Sequence, residues 1–171
     1  MSQQQCASAN PKSLMDLLAN KDASIRQKAR ESLVALGKPA VSFLNQALQD
    51  SNSDQIRWEA AKALGAIGDA SSIPSLVEAL EDSDPDVAWL AAEALSEFKK
   101  TAWPSLFHEL IESGADSVLL RQRAHHVLRD QNEDGFNDLL ATLREALESL
   151  TVPESTPIAA YNILKRMNAT S

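Results

Sequence analysis

Sulfur chemistry is nearly missing from this chain. Cys6 is its single cysteine, so neither an internal disulfide nor a multi-thiolate metal site is available. Cys6 lies in a polar start, MSQQQCASANPKS, which has no apolar core like that of a signal peptide and no lipobox-like leucine before the cysteine. No apolar run approaches the ~20 residues needed to span a bilayer, so the expected setting is cytoplasmic. Glycine and proline are scarce, at five and seven residues, and aromatics make up only 5% of the chain. Ala, Leu, Glu and Lys dominate instead, a usage that favours helices over pleated strands. Positive charge is also short, with 16 Lys and Arg against 24 Asp and Glu and a net charge of -8. A surface of that sign repels phosphate backbones and anionic headgroups, so neither nucleic acid nor a membrane is an expected partner. The 44% hydrophobic content is enough for a continuous core in 171 residues, which argues against disorder.

What is present is a repeat. Ile25, Ala29 and Leu33 recur 31 residues later as Ile56, Ala60 and Leu64, and again as Val87, Ala91 and Leu95. A step of 33 carries the column to Leu120, Ala124 and Leu128, with a weaker copy at Ala160 and Leu164. A second series lies between: Leu14 and Leu18, Leu44 and Leu48, Leu76 and Leu80, Leu106 and Leu110, Leu139 and Leu143. Residues four apart share one helical face, so each segment carries an apolar stripe that a neighbour must cover. One helix pair cannot do this alone, but stacked pairs can. Helix breakers and caps fall between the two series, at Gly37 with Pro39, Gly68 with Pro74, Pro104, Asp50 to Ser53, Asp82 to Asp84 with Pro85, and Gly114 with Asp116. The register predicts first helices over 11–20, 39–49, 72–81, 103–112 and 134–149. Second helices are predicted over 23–36, 54–67, 85–98, 117–130 and 156–167.

The stretch DQIRWEAAKALGAIGDASSIPSLVEALEDSDPDVAWLAAEAL, residues 54–95, resembles HEAT repeats, in particular the short variety also found in phycobilin lyases. The resemblance extends with decay over most of the chain. It implies an all-α, right-handed solenoid of about five antiparallel two-helix units over residues 11–167. A flexible segment, 1–10, would precede the solenoid and a tail, 168–171, would follow it. The family pattern also includes an apolar-Pro-x-Leu start, here Ile73, Pro74 and Leu76. A turn aspartate pairs with an Arg one place after the first apolar residue of the second helix, here Asp54 with Arg57 and Asp22 with Arg26. Arg121 repeats the pattern. Ala88 interrupts it and Pro157 replaces it in the last unit, which suits a terminal cap. These arginines read as structural ties between turn carbonyls and carboxylates.

The resemblance implies that second helices line a concave side. Their outward columns read Gln27, Trp58, Trp89, Gln122 and Ile158; then Lys28, Glu59, Leu90, Arg123 and Ala159; then Glu31, Lys62, Glu93, His126 and Asn162. Trp58 and Trp89 lie about 200° around the helix from buried Ile56 and Val87, so core packing does not require them. Beside Leu90, with Glu59, Lys62, Glu93, Arg123 and His126 around them, they resemble an interface hot spot with a polar rim. The same pair also fits a packing role, in which two indoles stack across units and shield alanine-rich helices. Trp103, in the Ile73 column, reads as core, and Phe136 and Tyr161 read as structural near the C-terminal end.

Catalytic signatures are thin. Within the resemblance, iron-dependent hydroxylases of this fold use repeated His-Glu pairs, whereas His108 and Glu109 form the single such pair here, too few for a di-iron site. His125 and His126 are adjacent and point about 100° apart, unlike an i, i+4 metal pair. The acidic turn EDSDPD, residues 81–86, lacks the EF-hand glycine and closing glutamate. The chain therefore reads as a non-catalytic protein-binding module or scaffold without a cofactor, its acidic surface suited to a partner with a basic patch. The alternative is a bilin lyase-like protein acting on phycobiliproteins, with Arg123, His125 and His126 as the cluster facing a propionate-bearing pigment. The register generates a test: Leu64→Ala is expected to cost about 2–5 kcal/mol as a buried truncation, and Trp58→Ala much less, measured by urea unfolding. Equal large losses would put Trp58 in the core.

Overall fold

A computed structural model describes residues 10–149 and 154–170 of the chain. Among them lie ten α-helices: α1 (Pro11–Leu17), α2 (Ala23–Leu36), α3 (Lys38–Asp50), α4 (Asp54–Ile67), α5 (Ile73–Glu78), α6 (Pro85–Phe98), α7 (Trp103–Glu112), α8 (Val118–Leu128), α9 (Asn137–Glu148) and α10 (Ser155–Ala169). Single 3-10 turns at Ala70–Ser72, Ala79–Glu81 and Lys99–Ala102 extend α5 at both ends and lead into α7. Residues 1–9, with Cys6 and nearly all of the expected flexible segment, lie outside the described residues. Asn10 is already the cap of α1, its side chain accepting from the Lys12 N–H, and α10 runs two residues past its expected end. No described helix is long and apolar enough to cross a membrane.

The helix ends follow the punctuation. Asp22, Asp84 and Ser117 accept backbone N–H groups at the starts of α2, α6 and α8. Prolines occupy the first turn of α1, α3, α5, α6 and α7, where their missing N–H has no intrahelical role. Gly68 closes α4 in the left-handed conformation at φ 66°.

The helices pack in two rows. One row runs α2, α4, α6, α8 and the other α1, α3, α5, α7, with each pair also packed across the rows. The core consists of the stripes read from the sequence: Leu18, Leu33, Leu44, Leu64, Leu76, Leu80, Leu95, Leu106, Leu110 and Leu120 are all buried. Ile25 departs from its column at 37% exposure, because it belongs to the end unit, whose outer side no further described helix covers.

The arginine column ties the turns. Arg26 donates to the carbonyls of Asn20 and Lys21, Arg57 to that of Ser51, and Arg121 to those of Gly114 and Ala115. Arg57 also forms a two-pronged pair with Asp82, Nε to Oδ2 at 2.7 Å and Nη2 to Oδ1 at 2.9 Å, and reaches Asp54 at 2.6 Å. Asp82 belongs to the turn of the next pair, where Ala88 stands in place of the arginine. One guanidinium thus serves two turns. Burial pushes the Asp82 carboxyl up, but Arg57 and the Asp84 N–H together hold it below its usual range.

The last pair breaks the pattern. α9 packs on α8 and α10, and α10 packs on α9 and α7, so α9 continues the row of α8 and α10 continues the row of α7. The expected assignment of 134–149 as a first-row helix and 156–167 as a second-row helix is therefore reversed. Two features account for it. The link from Leu128 to Asn137 is long, whereas Gly37 alone joins α2 to α3. Within it Gln131 donates to the Ser96 carbonyl, Lys100 pairs with Glu133 at 2.9 Å, and Phe136 packs edge-on to Trp103 at 5.8 Å. The stripe on α9 is accordingly Leu140, Leu143 and Leu147, with Leu139 only half-buried. Ile158, expected in the second-helix outward column, sits on the other row, and Ala159 of the next column is buried. Tyr161, expected to be structural, is 55% exposed on α10, whereas Trp103 and Phe136 are core.

Lys99 ends α6 at φ 52°, ψ -136°, close to the φ 67°, ψ -134° of Gly37 two registers earlier in the chain, and is the only positive-φ residue among the described residues that is not glycine. A side chain there is strained by about 1–2 kcal/mol. Lys99→Gly is expected to raise unfolding free energy by about 0.5–1 kcal/mol after the added unfolded-state entropy of glycine. A fall in denaturant midpoint would show that the Lys99 side chain contributes more than the strain removes.

Candidate functional site

The outer face of the row α2, α4, α6, α8 carries the candidate residues. Trp58 on α4 is half-buried against the core, with the Lys62 ammonium 4.5 Å from its ring centre and the Arg30 guanidinium 5.7 Å away. Trp89 on α6 is 47% exposed and lies 4.1 Å, centre to centre, from the His126 ring on α8. Although the tryptophans hold equivalent positions, Trp58 leans toward α2 and Trp89 toward α8. Their neighbours are cations and an imidazole rather than each other.

Glu59 does not stand where the column reading put it. It is 3% exposed, and its carboxylate accepts from Arg26 Nε at 3.4 Å, from Gln55 Nε2 at 3.3 Å and from Arg30 Nη1. Its helical angle points outward, but two α2 arginines close over it. A buried carboxylate so paired binds α2 to α4, and its contribution is to the fold. Arg123 is also partly enclosed: its Nε is buried without a hydrogen-bond partner, and Arg123 borders neither of the grooves described next.

Two grooves cross this face. The first, about 490 Å³, lies between α2 and α4 and is bordered by Arg26, Gln27, Arg30, Trp58 and Lys62, with Asp84 and Asp86 beyond. The second, about 500 Å³, runs over α4, α6 and α8 and holds Lys62, Leu90, Glu93 and His126. Lys62 is common to both. The structure thus brings Trp58 and Lys62 together in one groove and Lys62, Leu90, Glu93 and His126 in the next, with Trp89 stacked at the edge on His126. The sequence reading omitted Glu97 and Arg129, which also line the second groove, and its floor of Ala61, Gly65, Ala66 and Ala94. Continuing the outward columns by one helical turn would have reached Glu97 and Arg129. The floor had no such signal, since small residues serve equally for close helix packing.

The histidines diverge. His125 Nε2 lies 2.9 Å from Glu148 on α9, while His126 turns to Trp89, so Arg123, His125 and His126 do not converge on one ligand. His108 Nδ1 pairs with the Pro104 carbonyl at 2.6 Å. Among the described residues, no three His, Cys, Asp or Glu side chains gather closely enough to hold a metal ion.

Burial lowers the His126 pKa below its ordinary 6.5, and Arg129 acts in the same direction, against the opposing pull of Glu93 and Asp130. The folded chain therefore binds fewer protons at this site than the unfolded chain, and acidification through about pH 6.5 destabilises the fold. His126→Gln is expected to shrink the loss of Tm between about pH 7.5 and pH 5.5, followed by thermal unfolding. An undiminished loss would show that the stack on Trp89 accepts the imidazolium.

A family model describing HEAT repeats matches residues 41–129, just over half of the chain and the span from α3 to the end of α8. No curated protein matches the chain.

Proposed function

Because this chain belongs to the HEAT-repeat family, we propose that it is a non-catalytic docking module whose second-row helices form the concave face of a right-handed superhelix of five helix pairs, and that a partner protein binds there. The observation that supports this most is Trp89, a large aromatic left 47% exposed beside half-buried Leu90 and kept in place by His126. An indole so held loses little rotamer freedom on contact, which makes it a favourable anchor. Lys62, Glu93 and His126 supply the polar rim, Trp58 a second anchor, and Arg123 an edge group. Glu59 acts indirectly, by holding Arg26 and Arg30 beside Trp58. The net charge of -8 favours a partner with a basic patch and a cytoplasmic setting is the one proposed.

The bilin lyase-like alternative would need Arg123, His125 and His126 to meet a propionate-bearing pigment together. Their divergence favours the docking reading.

The test is capture of a partner from native cytosol by the wild-type chain and by a folded Trp58→Ala/Trp89→Ala variant. Loss of a specific protein with the variant, at unchanged circular dichroism, is the expected result. Identical captures would assign both tryptophans to packing and move the site elsewhere.

A further inference from the structure

The exposed charges around the second groove alternate in sign from helix to helix. α4 presents Lys62, α6 presents Glu93 and Glu97, and Arg129 follows directly on the end of α8, all bordering the same groove of about 500 Å³. Lys62, Glu93 and Glu97 take part in no ion pair among the described residues, and Arg129 pairs with its exposed chain neighbour Asp130 at 3.2 Å. Their side chains are therefore not consumed by one another, although the order of sign is positive, negative, positive.

Resting on the docking reading above, we propose that the occupant of this groove is an amphipathic helix of the partner, lying across α4, α6 and α8 and carrying acid, base and acid at seven-residue intervals. The interval comes from geometry. Packed helices stand about 8–10 Å apart, and an α-helix rises about 1.5 Å per residue, so one step along the row equals roughly five to seven residues of the ligand. Positions seven apart fall on the same side of a helix, so all three charges can face the groove. An extended chain would cover the same step in about three residues, and an odd interval turns successive side chains to opposite sides. The spacing of the charges on the face thus selects a helix over a strand.

The floor fits the apolar part of such a ligand. A Cβ added at Gly65 would lie 3.0 Å from the Ala94 Cβ, which places α4 and α6 in close approach there and leaves the space above to the ligand. Ala61 and Ala66 extend that shallow floor, and Leu90 supplies its apolar wall. A bulky aliphatic residue placed between the first acid and the central base would lie on it.

The experiment uses two labelled 21-residue helical peptides of matched helicity and leucine content, read by fluorescence anisotropy with the full chain at low salt. One carries glutamate, lysine, glutamate at seven-residue intervals, and the other lysine, glutamate, lysine. The first is expected to bind at least tenfold more tightly, and Lys62→Glu/Arg129→Glu is expected to reverse that preference. Equal binding of the two peptides, no binding by either, or a preference that survives the double substitution overturns the proposal. Those outcomes leave the docking reading to its own test, since a partner captured through Trp58 and Trp89 would then be held by something other than this helix.

Discussion

Every helix pair in this chain leaves an apolar face that only the next pair can cover, and that constraint organises the rest of the structure. Val87 is fully buried because the pairs on both sides supply contacts, whereas Ile25, in the same column but in the end unit, stays 37% exposed. The stack is therefore a sum of neighbour interfaces. It needs something that fixes the spacing of those interfaces, since apolar stripes alone permit sliding. The arginine column does this: Arg57 joins the carbonyl of its own turn to Asp82 of the next, and Arg26 joins its own turn to Glu59 on α4. Directional, charge-assisted bonds set the register, and burial provides the driving force.

The same constraint explains the reversal at the C-terminal end. A row that simply continued would leave the stripe of its last pair facing solvent. Instead α10 returns to α7 and α9 covers α8, so the four last helices close on each other around Trp103, Phe107 and Phe136. Thr156 donates to the Ala146 carbonyl within this closure, and Arg144 donates to the carbonyls of Leu128 and Gln131 at the end of α8. The HEAT-repeat match ends at residue 129, where the regular order of rows also ends.

The helices were legible because their ends are written in short-range chemistry: aspartate and serine caps, first-turn prolines and left-handed glycines lie within a few residues of the boundaries they set. The row to which α9 belongs was not legible in the same way. Leu139 and Leu143 fit one helical face as well as Leu140, Leu143 and Leu147 fit another, and the long link with its contacts of Gln131, Glu133 and Phe136 chooses between them. Glu59 shows a second limit. Its angle on α4 is outward, yet its partners come from α2, some thirty residues earlier, and a column read along one helix contains no information about what leans over from the next. Trp58 and Trp89 repeat the lesson, since equal positions in consecutive units lean in opposite directions once one meets arginine and lysine and the other meets histidine.

These differences between equivalent positions bear on the proposed docking role. In an ideal repeat each column would show the same residue in every unit, and the face would offer a partner no preferred place along the row. Here the buried columns stay nearly uniform, with Ala60, Ala91 and Ala124 in one and Leu64, Leu95 and Leu128 in another, while the outward column changes from Lys62 to Glu93 to His126. Uniformity inside preserves the spacing of the interfaces. Variation outside gives successive units different side chains at the spacing set by the core, and it is this spacing that the proposed helical ligand would have to match.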